Sequence, residues 1–559
     1  MDVMKNGRFP VTVALQILFI YLETHMHHKR IIALFLLLSL AWLTACAGEL
    51  LNEPTPIPPP PAAGSDEANT DSNPPVATPL ATDLPEETAV EPTPTLVPTE
   101  TPTPEIVVTA VTDPPVQVIN SQPLPATSRD LLFIADGSFK QWNHATGQIE
   151  TIVAGTNGVN LAPESQEIIA AGSIASYVMS ADGKRAVVAR VLNAANAPDV
   201  QNAPTEYSYE LLFVDMISGE VWTLVPQIDN LLGYDLSPNA QQLAFIGSGL
   251  NGIPDATSVD LPATNLYILE TGGGNPANLR QVHSCQTYCR NPKWHIENNL
   301  VAFGDDEALW LYNIAADAPE MLFENTPFER EMSDVGQVSV YWPQSWASNG
   351  RYLMLLHGRW EGASNAILDI PTGSLIEVPN SFIYAEVFPA QVSWMPDDRV
   401  LVWQTEENDN NFTPLVELWR FDLGNGKLVL EESAQLSEEM MGVMGGTYLE
   451  DGRFAFALDT PPIPNTPTAV RDQIGTYQLT SLAETPERVN SLPVLAEGFA
   501  QMQVLWAKDG SGAFLMQTYY PNQPKLFYAP TDGEFLYEVT AVFGQNPHNF
   551  QWQPEIIVP

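Results

Sequence analysis

Positive charge is what this sequence has least of. Its 23 lysines and arginines face 67 aspartates and glutamates, for a net charge of −44. A surface of that sign repels phosphate backbones and anionic lipid, which excludes nucleic-acid binding. Cysteine is almost missing, with three in 559 residues (Cys46, Cys285 and Cys289), so no disulfide framework replaces a hydrophobic core. There are only eight histidines. No His-Glu-x-x-His pair, phosphate-cradling glycine loop or Gly-x-Ser-x-Gly elbow occurs, so the common metalloprotease, nucleotide and α/β-hydrolase chemistries have no local signature. Long apolar runs are lacking too. The two best, Val11 to Leu22 and Ile31 to Trp42, fall short of the roughly 18 residues a membrane-spanning helix needs.

What is present begins with an export signal. The basic cluster His27-His28-Lys29-Arg30 precedes the apolar run, and Leu43-Thr44-Ala45-Cys46 follows it directly. Charged region, short apolar region and small residues before a cysteine form a signal peptide ending in a bacterial lipobox. Residues 1–45 are read as this signal, with translation starting at Met26, and Cys46 as the lipidation site. The protein is then extracytoplasmic and tied to a membrane by lipid at Cys46, on the cell surface or the periplasmic side. Cleavage before Cys46 leaves 514 residues, too many for one ordinary compact core unless the fold is modular.

Residues 46–128 read as a stalk. From Ala47 to Ser128 there are 19 prolines and 12 acidic residues, with no lysine or arginine. Runs such as Pro58-Pro59-Pro60-Pro61 lack the amide hydrogens that strand pairing needs, and few large apolar groups offset chain entropy. A disordered, extended linker is expected.

Residues 129–559 change character. Short β-branched and aromatic runs alternate with tight turns, and a unit recurs: a large aromatic or apolar residue, a polar turn ending in Asp-Gly or a relative, then an apolar strand. Examples are Met179-Ser180-Ala181-Asp182-Gly183, Trp346-Ala347-Ser348-Asn349-Gly350 and Trp506-Ala507-Lys508-Asp509-Gly510. The anchors at 179, 236, 294, 346, 394, 448, 506 and 552 lie 46 to 58 residues apart. A third strand and a second tight turn follow in each unit, as in Ala366-Ile367-Leu368-Asp369 with Thr372-Gly373. Four-stranded meanders at this period predict an all-β fold, a single β-propeller of eight blades, or seven if the unit at Trp294 or Tyr448 is not a blade. Only seven residues follow Trp552, whereas Leu131 to Glu150 makes a unit lacking its innermost strand. The C-terminal strand is expected to complete it and close the ring.

The Trp-Ser-Pro-Asp-Gly-like turn before an apolar strand resembles the WD-repeat-like propellers of the TolB type. The resemblance covers roughly Asp130 to Pro559 and implies the architecture. It implies no particular activity, because the fold hosts binding modules, scaffolds and enzyme-attached domains alike. No unit carries the complete string, and a stalk stands where TolB has an extra domain.

Two small constellations bear on chemistry. Cys285 and Cys289 are expected to form a local disulfide outside the cytoplasm. A metal site using His283 and both thiolates is the alternative, and it lacks an evident fourth ligand. The oxygen-rich run from Glu406 to Asn411 could hold calcium but lacks the alternate spacing of a calcium loop, and a solvated loop is expected. Otherwise no metal or cofactor is expected. The long connections fall together on one face of such a ring, along with Tyr341, Trp342, Trp360, Tyr519 and Tyr520, rings suited to stacking on sugars or peptide side chains. The expectation is therefore a monomeric, non-catalytic recognition module for an envelope protein, peptide or glycan. A scaffold of an envelope complex is the alternative, and a hydrolase or lyase with channel-facing carboxylates the more distant one.

Overall fold

The fold is described from a computed structural model. It covers residues 107–109 and 116–554, apart from 158, 162–166, 195–206, 251–263, 286–288, 328–334, 361, 384–387, 409–410, 423, 439, 461–472, 493–499, 520–523 and 533–534. The signal segment, Cys46 and most of the stretch read as a stalk lie outside the described residues, as does Tyr520.

The described chain is all β apart from two short 3-10 turns. Four sheets are simple four-stranded antiparallel meanders, each made from consecutive strands. They begin with the strands Arg290–Trp294, Val340–Trp346, Gln391–Trp394 and Gly442–Tyr448. Trp294 and Tyr448 thus both start full four-stranded units. A fifth sheet joins the C-terminal strand His548–Trp552 to Leu131–Ala135, Ser138–Trp142 and Ile149–Val153. A seven-stranded sheet holds two meanders fused through one continuous strand, Val221–Leu236, which serves as the outermost strand of one and the innermost of the next. Asn230 and Gly233 carry positive φ at its bend, where the pairing register jumps.

The last unit begins with Ala500–Trp506, and here the sequence reading needs adjustment. Val107–Thr109 and Val116–Val118, inside the stretch read as stalk, pair with each other, and the second pairs in parallel with Leu536–Glu538. Both are short triplets free of proline with β-branched residues, so they can extend an open sheet edge.

Burial explains how the sheets associate. In the second strand of each unit almost every side chain is buried, because alternate residues face opposite neighbours. Leu131 and Phe133 pack with Phe514, Leu526 and Tyr528 of the last unit. Leu132 and Ile134, between them in sequence, pack with Ala186 and Val188. The pattern continues: Val187 and Ala189 meet Leu243 and Phe245, and Ala244 and Ile246 meet Val301 and Phe303. Ala302 then meets Leu353 and Leu355, Met354 meets Val400 and Val402, and Leu401 and Trp403 join Phe456 and Leu515. Each sheet packs on the next and the last packs on the first, a closed, propeller-like arrangement.

The anchor tryptophans tie neighbouring units. Trp294, Trp346, Trp394 and Trp552 each donate their indole N–H to a backbone carbonyl of the preceding unit, those of Asp235, Lys293, Ser345 and Leu505, at 3.0 to 3.4 Å.

Candidate active site

The unit of residues 340–377 places three polar groups in line. His357 sits on Tyr352–Arg359, opposite Tyr341 on one neighbouring strand and Ser364 on the other. Glu377 ends the outermost strand, Ser374–Glu377. Ser339 lies just ahead of the innermost strand, held by a two-bond bridge with Thr326 (2.7 and 2.8 Å). The antiparallel register thereby gathers residues 18 and 20 positions apart.

The contacts form a chain. Ser339 Oγ is 2.8 Å from His357 Nε2, and His357 Nδ1 is 2.9 Å from a Glu377 carboxylate oxygen. Arg359 approaches both His357 Nδ1 and Glu377, each at 3.3 Å. The shorter carboxylate contact assigns the proton to Nδ1, so Nε2 accepts from the Ser339 hydroxyl. His357 is buried at 5% exposure, and its ring stacks on Tyr341 with centroids 4.2 Å apart. Burial acts to raise the Glu377 carboxyl, but the hydrogen bond from His357, the charge of Arg359 and a bond from Ser364 help to outweigh it and hold the group below its usual range. The base is therefore oriented by an ionised carboxylate. Burial raises the Tyr341 phenol, partly offset by neighbouring Ser339 and Arg359.

Ser339 opens on a cavity of about 620 Å³ lined by Met321, Leu322, Phe323, Glu324, Thr326 and Tyr341. Nucleophile, base and orienting acid are thus in hydrogen-bond contact beside a space for substrate.

A second cluster lies where the preceding sheets meet. His283, near the end of Ala277–Ser284, faces Asp305, which directly follows Leu300–Gly304 of the adjacent sheet; Nε2 and the carboxylate are 3.9 Å apart. Ligand atoms of His283, Cys285 and Asp305 all lie within 4.8 Å of one another. Cys285 is joined to Cys289 as a disulfide. Asp305 is a potential ligand beside His283 and Cys285 that the sequence did not show.

Of the five aromatic residues expected to bind ligand, three have described side chains. Tyr341 is 4% exposed and its ring is occupied by His357. Trp342 points away from Tyr341 and is half-buried, with the Arg290 guanidinium 5.8 Å from its ring. Trp360 is exposed at a turn. The Tyr519 side chain and Tyr520 lie outside the described residues. In the run from Glu406 to Asn411, residues expected to form a solvated loop belong instead to paired strands, Glu406 opposite Thr413 and Asn408 opposite Asn411.

The expectation of a non-catalytic module, and of a protein that is not an enzyme, is corrected by these two clusters. It rested on missing local motifs. Both constellations are assembled by strand register and sheet packing, which a contiguous motif search does not detect.

No family model matches this chain, and no curated protein matches it. Among solved structures it is similar to dipeptidyl peptidase 4 of Porphyromonas gingivalis, at 10% identity over 74% of this chain and 59% of that one, with a TM-score of 0.44. The chain therefore spans less than two thirds of that peptidase. It is also similar to the dihydro-heme d1 dehydrogenase NirN in complex with DHE (14% identity, 78% of each chain, TM-score 0.44). A third likeness is to TolB from Acinetobacter baumannii (12% identity, 66% of this chain and 83% of that one, TM-score 0.28). These are distant, low-identity likenesses, and membership of the TolB-like family is not shown by them. They say nothing about a reaction, so the chemistry rests on the side chains.

Proposed function

We propose that this protein is an acyl hydrolase of the esterase or peptidase class, with Ser339 as nucleophile, His357 as general base and acid, and Glu377 orienting the imidazole. The observation that carries this reading is the unbroken hydrogen-bonded chain from Ser339 through His357 to Glu377 at the edge of a cavity. Ser339 Oγ attacks the acyl carbonyl while its proton passes to His357 Nε2. The imidazolium is stabilised by ionised Glu377, and the proton then goes to the leaving group. Tyr341, which lines the same cavity as Ser339, is the side chain proposed to meet the developing oxyanion. Water repeats the cycle on the acyl-serine. Met321, Leu322 and Phe323 give the cavity an apolar wall suited to a small hydrocarbon acyl group.

The test is labelling with a fluorophosphonate, followed by peptide mass spectrometry, beside hydrolysis of a p-nitrophenyl butyrate substrate. Label should land on Ser339. Ser339→Ala and His357→Ala should each lower turnover by about 10³-fold or more with the fold intact by circular dichroism. Hydrolysis that survives Ser339→Ala unchanged, or the absence of label on Ser339, would refute the assignment.

We further infer that the eight meanders are eight blades of one propeller, displayed outside the cytoplasm by a lipid on Cys46. The sheet-to-sheet packing that returns to its start supports the first part. The order of basic cluster, apolar run and Leu43-Thr44-Ala45-Cys46 supports the second. Among the described residues no helix is long and apolar enough to cross a membrane, so any anchor within them would need another form. Mass spectrometry of membrane-fraction protein should find an acylated N-terminal Cys46, and Cys46→Ala should release the protein. An intact bond between residues 45 and 46 in the membrane-bound protein would count against this.

A further inference from the structure

The cluster of His283, Cys285, Cys289 and Asp305 is independent of Ser339 and has a donor set of its own. Its four residues come from two sheets. His283 and the two cysteines belong to the end of one unit and the crossing out of it, and Asp305 belongs to the next. All are withdrawn from solvent: side-chain exposure is 14% for His283 and 2% for Asp305, and Cys285 and Cys289 are 3% and 0% exposed as residues.

Each donor is held in place. The Phe303 and Trp310 rings pack on the His283 imidazole at 5.1 and 4.8 Å. One oxygen of Asp305, Oδ1, accepts the backbone N–H groups of Glu307 and Ala308 at 2.9 and 2.7 Å. That leaves Oδ2 as the oxygen facing His283. The Asp305 carbonyl is fixed by Asn325 Nδ2 at 2.6 Å, and the Cys289 N–H by the Thr264 hydroxyl at 2.8 Å. Three donor groups gathered within 4.8 Å of one another away from solvent, with the backbone holding the carboxylate and the Cys289 sulfur bonded to the third, resemble the surroundings of a bound cation.

In the oxidised form the set is incomplete. A disulfide sulfur carries no charge and is a poor ligand, so only an imidazole and a carboxylate remain. Reduction changes this. The disulfide takes two electrons and two protons from a dithiol reductant, which itself becomes a disulfide, and two thiols result. A divalent cation then displaces both thiol protons. One nitrogen, one oxygen and two thiolates are donors that a tetrahedral zinc ion accepts at about 2.0 to 2.3 Å. The Cα atoms of Cys285 and Cys289 are 5.7 Å apart, and side-chain rotation is enough to part the sulfurs.

We propose that His283, Cys285, Cys289 and Asp305 form a redox-gated zinc site, closed by the disulfide and opened by its reduction, that clamps two neighbouring sheets together.

The experiment uses the full chain carrying Cys46→Ala, so that the only thiols are Cys285 and Cys289. Zinc is titrated against a chromophoric chelator with the protein either oxidised or reduced by a phosphine, and cobalt(II) is added to the reduced form. One equivalent of zinc should bind the reduced protein at least about 100-fold more tightly than the oxidised protein. Cobalt should give a thiolate charge-transfer band in the near ultraviolet, and zinc should raise the melting temperature of the reduced form only. His283→Ala and Asp305→Asn should each weaken zinc binding by about 10-fold or more. Their oxidised forms, compared with the oxidised parent by thermal melt, report whether the fold survives. Equal zinc affinity in the two redox forms would overturn the site. So would undiminished affinity in both folded variants, which would leave a plain dithiol. The readouts are binding and spectra, so loss of the hydrolase reading would leave this result standing.

Discussion

At the scale of single residues, the Ser339–His357–Glu377 array shows why local motifs failed. Ser339, His357 and Glu377 share no short signature, because what joins them is pairing across four antiparallel strands. The serine sits on no nucleophile elbow, so a search for one passes over it. Tyr341 was singled out for stacking on a ligand, and its ring is stacked on His357. Asp305 lies 20 residues from Cys285 and in a different sheet, so its place beside His283 was equally invisible.

A further residue makes a pH prediction. Asp459, at the end of Phe454–Asp459, is 8% exposed, and burial pushes its carboxyl up to about 6 although the Thr460 N–H lowers it somewhat. Unfolded, it ionises near 4. Below that value both states are protonated and no penalty arises. As the pH rises from about 4 to 6 the unfolded state ionises first, so stability falls by up to about 3 kcal/mol and stays reduced above. Asp459→Asn keeps an acceptor for the Thr460 N–H and cannot ionise. Its melting temperature should match that of the parent at pH 4 and exceed it at pH 7.5. A gap of the same size at both values would show that Asp459 is not the group responsible.

At the scale of elements, the turns were legible and the reasons are chemical. Asp182, Asn239, Asn349, Asp451 and Asp509 each accept a backbone N–H two residues on, at 2.7 to 3.1 Å, which folds the chain back on itself. Four of the anchor tryptophans, Trp294, Trp346, Trp394 and Trp552, were legible because each reaches the preceding unit. The fused seven-stranded sheet was not, since Val221–Leu236 carries no Asn-Gly or Asp-Gly pair at its bend, and its one proline, Pro226, lies ahead of it.

Two glycines separate crowding from backbone strain. A Cβ on Gly446 would sit 2.0 Å from the Trp403 ring, which is itself 1% exposed and unable to withdraw. Gly426 has φ +60 in a turn, with nothing near a Cβ. Gly446→Ala should cost roughly 1–3 kcal/mol or more by overpacking, and Gly426→Ala only about 1 kcal/mol from its left-handed backbone. Urea denaturation compares the pair. The reverse order would mean that the Trp403 pocket can relax.

At the scale of the whole molecule, closure depends on joining the two ends of the folded segment. His548–Trp552 pairs with Leu131–Ala135, Trp552 donates to Leu505, and Gln553 donates its backbone N–H to Asp130 and its side-chain amide to Gly183. One strand therefore touches the first, second and last units. Phe550 packs on Phe133 and Phe514, so its loss would uncover aromatic surface on both sides of the joint. Repeating units that bury their faces only against neighbours are stable in proportion to the contacts retained, and an open ring has two bare faces where a closed one has none. Deleting residues 549–559 should therefore lower the melting temperature and broaden unfolding, because the exposed units loosen before the rest. It should also promote self-association through the bared strand edge. Deleting eleven residues from 60–70, within the proline-rich stretch, should change none of these. Calorimetry and light scattering on the two deletions give the comparison. A monomeric 549–559 deletion that melts sharply at the parent temperature would show that the ring is held without its C-terminal strand.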